Sequence, residues 1–292
     1  MLSGGTGTPK LLVGLKRLLD PSELTVVANT ADDIWASGNL VSPDLDTVTY
    51  TLAEIVDRSR WWGIKGDTFQ TSGFLESLGH KEVLALGDKD RAIHIFRSNL
   101  IRDGATLSKA TEKLCQSLKI EQTVVPMTDD KVSTMISTGD RVMHLQEFLV
   151  GFGGRPQVDA VRFRDIERAR PSPQFIDALL KEDVILIGPS NPVTSVGPIL
   201  ALEGIRDILA KKSVIAVSPL VCGQPLSGPA AKFMQALGAP VSDQGVSDLL
   251  DCVNLMVVHI DSDYSGPSVE LNTIMRNDDD SLRLAKDILK VI

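Results

Sequence analysis

No apolar stretch in the 292-residue chain approaches the roughly 18 residues that a membrane-spanning helix needs. None precedes the glycine-rich residues 4–8 either, so no secretory signal peptide is expected. Cysteine is scarce: Cys115, Cys222 and Cys252 stand far apart and form no C-x-x-C pair, which argues against a zinc ribbon or a redox dithiol. They read as three reduced thiols of a cytoplasmic protein. Long basic runs are absent and the formal net charge is -8, so the basic stripe of a duplex-binding surface is missing. His80, His144 and His259 lack metal-ligand spacing, and no Ser-His-Asp or Cys-His set can be assembled. What is present is ordinary globular material, 43% apolar and 23% charged. The length suits one large domain, or a core with a smaller piece appended. An acidic chain of this kind binds anions through local geometry rather than through its overall field.

Residues 9–19 carry Leu11, Leu12, Leu15, Leu18 and Leu19 at helical spacing, with Thr8 as the expected N-cap and Pro9 in the first helical position. Residues 24–29 (LTVVAN) form a short β-branched run that reads as a buried strand. The strand before the glycine-rich loop is represented by Met1-Leu2 alone, either truncated or continuing upstream. The second half repeats the pattern: strands are expected at 183–188, 214–218 and 253–260, and helices at 196–210, 229–237 and 282–292. Apolar strands alternating with helices predict an α/β fold, a Rossmann-like, doubly wound and mostly parallel sheet covered on both faces. Ligands of such sheets sit at the carboxyl ends of the strands. Residues 50–118 differ, with helical patterns at 93–101 and 107–118 and no convincing strand. They predict a small helical insertion in a core made of residues 1–49 and 119–292. Residues 123–126, 133–137 and 143–150 read as extra strands in antiparallel pairing.

Five loops carry the chemistry. In Gly4-Gly5-Thr6-Gly7-Thr8-Pro9 the glycines allow a sharp turn and close approach, and the following helix N-terminus makes an anion site. It matches neither a Walker loop nor a full G-x-G-x-x-G. Asn29-Thr30-Ala31-Asp32-Asp33 ends a strand with two acids, suited to a ribose, a polar ring or Mg²⁺, or equally to capping a helix. Ser42-Pro43-Asp44-Leu45-Asp46-Thr47 sets two carboxylates close together, as hard cations require and as helix caps also show. Gly87-Asp88-Lys89-Asp90 suggests a polar pocket edge or a solvated first turn, and His94 beyond it reads as a satisfied core histidine. The loop from Gly188 to Pro198 is stiffened by three prolines while Ser190, Asn191, Thr194 and Ser195 supply polar groups. Ser218-Pro219 and Ser227-Gly228-Pro229 repeat that pattern. Phosphate loops with carboxylates fit phosphoryl or nucleotidyl chemistry run by positioning and Mg²⁺.

In chain order the stretches LSGGTGTPKLL at Leu2, NTADD at Asn29, SPDLDT at Ser42, RWWGI at Arg60 and GDTF at Gly66 are followed by a second series. It comprises LGDKD at Leu86, IRDGATLS at Ile101, PMTDD at Pro126, IGPSNPVTSVGPIL at Ile187, AVSP at Ala216 and SGPAAK at Ser227. Together they span nearly the whole chain and resemble the CofD family, the 2-phospho-L-lactate transferases of deazaflavin coenzyme (coenzyme F-420) biosynthesis.

The resemblance implies transfer of the phospholactyl group from lactyl-2-diphospho-5′-guanosine to the ribityl hydroxyl of the deazaflavin Fo, with release of GMP. It also implies Mg²⁺ as cofactor, a Rossmann-like core with a small helical region, and a homodimer. Some family members use the enolpyruvyl analogue as donor. On this sequence the resemblance puts the nucleotide and its phosphates against Gly4, Gly5, Thr6, Gly7, Thr8, Ser190, Asn191, Pro192, Ser218 and Gly228. Asp44 and Asp46 would line the reaction centre as Mg²⁺ ligands or by orienting the Fo hydroxyl, with Asp46 preferred as the base. Trp62, Gly63, Asp88, Lys89 and Asp90, together with Asp46, would face the deazaflavin. Lys89 stands where arginine is common in the family, which keeps the charge but loses the bidentate fork. The rival reading is a non-catalytic, nucleotide-sugar-binding regulator of the CofD-like superfamily, and RWWGI, LGDKD and SPDLDT favour the transferase. A nicotinamide dehydrogenase does not fit the glycine pattern.

Overall fold

The computed structural model describes residues 1–226 and 228–292. Ser227, one of the loop residues singled out above, lies outside them. The chain opens with β1 (Leu2–Ser3), α1 (Gly7–Leu15) and β2 (Thr25–Ala28). The helix begins earlier and ends sooner than its leucine pattern predicts. Thr6, not Thr8, is its N-cap, and Thr8 lies inside the first turn with its hydroxyl bonded to Ser190 across the fold. A hairpin that was not expected follows, β3 (Ile34–Ala36) and β4 (Asn39–Val41). Its strands are too short to show alternation, and Ser37 and Gly38 turn it with φ of 46° and 76°.

Four helices come next, α2 (Pro43–Leu52), α3 (Gln70–Ser77), α4 (Asp88–Arg102) and α5 (Leu107–Ser117). Then come β5 (Thr123–Pro126), β6 (Ser133–Thr138), β7 (Arg141–His144) and β8 (Ala160–Arg164). The last three pair antiparallel in the order β7-β6-β8, whereas β5 is a parallel edge strand of the main sheet. The strand expected at 143–150 ends at His144, and Glu147–Gly151 form a wide helical turn instead. The remainder comprises α6 (Pro173–Lys181), β9 (Val184–Ile187), α7 (Gly197–Ala201), α8 (Ile205–Leu209) and β10 (Ser213–Val217). It continues with a small hairpin of β11 (Leu220–Val221) and β12 (Gln224–Pro225), then α9 (Ala230–Ala236) and α10 (Asp243–Leu250). The chain closes with β13 (Leu255–His259), β14 (Ser268–Leu271) and α11 (Asp278–Leu289). The single helix expected at 196–210 is broken in two, since Gly204 adopts φ 78° between α7 and α8.

The main sheet has seven strands in the order β14-β13-β10-β9-β1-β2-β5, all parallel. The chain winds outward from β1 in one direction through β2 and β5. It winds in the other through β9, β10, β13 and β14, so the topology switches between β1 and β9. Doubly wound sheets bind ligands at such a switch. Each face is covered. Val27, Ile187, Val214 and Ala216 pack with α6 to α10, while Val26, Ala28, Leu186 and Ile215 pack with α1, α2 and α11. That two-sided burial is why the strands read as continuous apolar runs.

The first strand is short but central. Leu2 is paired with Val27 on one side and Ile187 on the other. The Ser3 carbonyl accepts from Asn29 N at 3.0 Å, the Leu2 carbonyl from Gly188 N at 3.1 Å, and the terminal ammonium donates to Thr25 O at 2.7 Å. Both neighbours are longer strands that hold it from either side.

Gly7 shows how tightly the switch point is packed. A Cβ there would run into the backbone carbonyl of Pro189. Gly7→Ala is expected to cost about 1–3 kcal/mol in urea unfolding, the usual range for overpacking. Gly73→Ala in α3, where a Cβ meets open space, is the control and should be neutral or slightly stabilising.

Candidate functional site

The loops after β1 and β9 are clasped together. Gly4 N donates to Ser190 Oγ at 3.0 Å, and Thr8 Oγ1 lies 2.6 Å from the same oxygen. Above this joint opens a cleft of about 470 Å³. Gly5, Thr6 and Gly7 line one side, and Ser190, Asn191, Thr194 and Ser195 line the other. The N-cap Thr6 makes no side-chain cap bond and the first turn of α1 holds no acid, so the helix end is open to an anion. Gly4 and Thr8 thus act in the joint behind the surface. Pro192 is buried behind it too, and Asn191 Oδ1 is engaged by Val193 N at 3.0 Å and Thr194 N at 3.3 Å.

Asn29, at the end of β2, ties the acids to these loops. Its Nδ2 donates to Asp44 Oδ2 at 3.0 Å and to the Thr194 carbonyl at 3.3 Å, while Oδ1 accepts from Ala31 N at 3.0 Å. Asp44 stands in the first turn of α2 against Gly5, where a Cβ would strike its carboxylate. Burial pushes the Asp44 carboxyl up to about 6, against hydrogen bonds from Asn29, Ser195 and the Gly5 amide. Asp32 faces the same cleft, and burial together with the nearby Asp44 charge holds it well above the usual range. Asp33 lies behind, bonded by Ser42 Oγ at 2.5 Å and likewise raised by burial.

Asp46 has a different environment. Burial alone would raise its carboxyl, but the Arg97 guanidinium and His94 outweigh that and hold it at about 2. Arg97 bonds its carboxylate directly, His94 Nε2 is 3.1 Å away, and Ser42 N donates at 3.1 Å. His94 also reaches Asp90 at 3.1 Å, and Asp90 accepts from the Tyr50 hydroxyl at 2.6 Å. Burial disfavours charge on His94, yet the bonds and charges of Asp46 and Asp90 raise it to about 9. The result is one buried network, Tyr50–Asp90–His94–Asp46–Arg97, joining α2 to α4. His94 is buried and bonded to two carboxylates, in keeping with a satisfied core histidine, whereas Tyr50 and Arg97 were not among the expected site residues. Asp46 and Tyr50 are four residues apart on α2, as are Asp90 and His94 on α4. That spacing put each pair on one helix face and was a usable signal.

Trp61, Trp62 and Gly63 form a wall of the cleft, with Arg60 stacked 4.4 Å from the Trp62 ring. Opposite them, Ser218 is buried and donates to Asp243, and Gly228 stands at the rim. Asp88 and Lys89 do not line the cleft. Asp88 accepts from Thr68 Oγ1 at 2.5 Å, Thr71 N at 2.9 Å and Gln70 N at 3.0 Å, and Lys89 Nζ donates to Gly66 O at 3.2 Å. Both brace the turn that leads into α3. Among the described residues no group of three or more His, Cys, Asp or Glu side chains is arranged to hold a metal ion.

Two measurements test the buried network. Arg97→Ala leaves Asp46 charged and buried, and should cost about 3–5 kcal/mol in urea unfolding. His94 binds its proton up to about 9 in the folded state, against an ordinary 6.5. Its contribution to stability is therefore complete below pH 6.5 and lost as the pH rises through 9. The gap in Tm between the protein and His94→Gln should shrink across that interval.

The profile of the family described as 2-phospho-L-lactate transferase CofD matches residues 1–286. A 2-phospho-L-lactate transferase of Methanosarcina mazei is 54% identical over 85% of this chain and 82% of its own length. Another of the same name, from Methanococcoides burtonii, is 44% identical over 100% and 97% respectively. A crystal structure of a Bacillus halodurans protein superposes with a TM-score of 0.67 at 18% identity, covering 99% of this chain and 98% of that one, and shows the shared fold. No helix among the described residues is long and apolar enough to cross a membrane. With its switch-point loops and the family profile running almost from end to end, the chain belongs to the CofD family of 2-phospho-L-lactate transferases.

Proposed function

We propose that this enzyme transfers the phospholactyl group of lactyl-2-diphospho-5′-guanosine to the ribityl hydroxyl of Fo, releasing GMP, in coenzyme F-420 biosynthesis. The observation that carries the reading is the joint at the switch point. An open helix N-terminus, flanked by two polar loops, faces a buried carboxyl raised to about 6. Similarity to relatives named 2-phospho-L-lactate transferase favours it over the regulator. The glycine-rich loop and the loop carrying Ser190 would receive the guanosine diphosphate part, with Ser218 and Gly228 at its edge. Trp62, Gly63 and Asp90 would face the deazaflavin.

Asp44 is the better candidate base. A general base works best with a pKa near the working pH, which suits a carboxyl at about 6. Asp46 is already committed to Arg97 and His94 and, held at about 2, is a weak base. In the proposed step the hydroxyl oxygen bonds to the phosphorus bearing the lactyl group and its proton passes to Asp44. The bond from that phosphorus to the bridging oxygen breaks, and its electrons leave with GMP. Mg²⁺ fits the donor set. Asp32 and Asp44 are both raised by burial, and the Asp44 charge raises Asp32 further, a repulsion a cation relieves. Mg²⁺ is commonly held by one or two carboxylates completed by substrate phosphates and water. Asp32, beside Asp44, would hold it, and it would neutralise charge on the diphosphate. Asp46, also considered as a ligand, has its oxygens taken by protein partners.

A homodimer, a cytoplasmic location and the choice of the lactyl over the enolpyruvyl donor complete the reading. So does the division into a core of residues 1–49 and 119–292 and an insertion of residues 50–118. In its support, α3 contributes no buried residue.

Protein, Fo, Mg²⁺ and either guanylated acid should release GMP, with the lactyl donor preferred in competition. No product from either donor overturns the reading. Asp44→Asn should lower kcat by roughly 10²-fold or more. The rising limb of kcat/KM near pH 6, where the Asp44 carboxylate forms, should also disappear. An unchanged limb removes Asp44 as the base.

A further inference from the structure

Among the described residues lining the cleft, Lys10 is the one cation with neither an ionic nor a hydrogen-bonding partner. It lies in α1, three residues after Gly7, and its Nζ stands 5.6 Å from the centre of the Trp61 ring. That is cation–π range, so the ring holds the ammonium without using its three N–H donors. Trp61 itself takes φ 58°, a conformation a bulky aromatic rarely adopts. The turn around Asp57 maintains it: Trp61 N donates to Asp57 O at 2.7 Å, and Arg60 Nη2 bonds the Asp57 carboxylate at 2.7 Å. Strain of this kind persists where the surrounding structure over-determines it. The effect is to keep a half-buried ammonium poised between the glycine-rich loop and the tryptophan wall.

The charge balance of the cleft gives that ammonium its task. Asp46 and Asp90 are answered by Arg97 and His94, but Asp32 and Asp44 have no cation beside them. A diphosphate entering such a cleft needs positive charge, and the helix end contributes only about 0.3–1 kcal/mol at an exposed site. Lysine is a compact point charge that serves phosphate well without a fixed fork.

We propose that Lys10 binds the diphosphate of the guanylated donor and sets the affinity for it, while leaving the deazaflavin acceptor untouched. This rests on the donor assigned under Proposed function. Calorimetric titration with GDP as the probe, and fluorescence titration with Fo, on wild type, Lys10→Met and Lys10→Arg decides it. Lys10→Met should weaken GDP binding roughly 10- to 100-fold, the weight of one charge-assisted hydrogen bond. Fo binding should stay within about twofold, and the salt dependence of GDP binding should flatten. Lys10→Arg, which keeps the charge, should recover part of the loss. All three proteins should melt within a few degrees of one another, since the side chain has no hydrogen bond or ion pair to lose and only the contact with Trp61 changes. GDP bound equally by Lys10→Met and wild type overturns the proposal alone, as does loss of Fo affinity with GDP affinity retained. Wild type that binds no GDP overturns the donor assignment and this inference with it.

Discussion

The hydroxyl of Ser190 is the point on which the site depends. It receives the Gly4 amide and pairs with the Thr8 hydroxyl, so a single oxygen ties the first loop of the sheet to the loop beyond β9. These loops follow adjacent strands from which the chain winds in opposite directions. Without a tie, the ends of such strands diverge into a crevice with nothing to hold its width. The tie fixes that width, and the absent side chain at Gly7 lets the two backbones meet. Asn29 extends the arrangement to a third strand by reaching both Asp44 and the Thr194 carbonyl. The geometry of the cleft is thus set by backbone and short polar side chains, which have little rotamer freedom to lose.

Electrostatics divides the acids into two kinds. Asp46 and Asp90 lie in a network closed by Arg97, His94 and Tyr50, and their charge is spent on joining α2 to α4. Asp32 and Asp44 are equally buried but have no cation beside them, so burial raises both. Two carboxylates two residues apart, on one helix, thereby have pKa values near 6 and near 2. Divergence of this kind separates chemical from structural roles. Spacing alone could not have supplied it.

The loops were legible in the sequence because glycine, proline and small polar residues declare turns locally. So were the strands buried on both faces, whose apolar runs need no partner to be recognised. The short β3–β4 hairpin was not, since three residues cannot establish a period. The edge strand β5 was seen but given the wrong pairing, because a run such as TVVP carries no sign of its neighbour's direction. The break at Gly204 was hidden within a continuous apolar pattern. In the site, Gly5, Asp44 and Ser190 could be singled out from their motifs. The partition between Asp44 and Asp46 could not, because it is decided by Arg97, some fifty positions along the chain. Asp88 and Lys89 also stand in a distinctive motif, but their bonds go to the turn before α3.

The packing of the first long helix against the last has a consequence in time. Gly14 on α1 lies against the Ser281 carbonyl and Ala285 of α11, and Leu11, Leu12 and Leu15 share a core with Leu284 and Ile288. A ribosome delivers α1 long before α11. Until then the glycine-rich loop is attached to a helix with one face bare, and β1 has to wait for β9 as well. Contacts of such long range are slow to form and leave apolar surface exposed in the interim. The nascent chain therefore carries its glycine-rich loop on an unfinished support until α11 is free to close over α1.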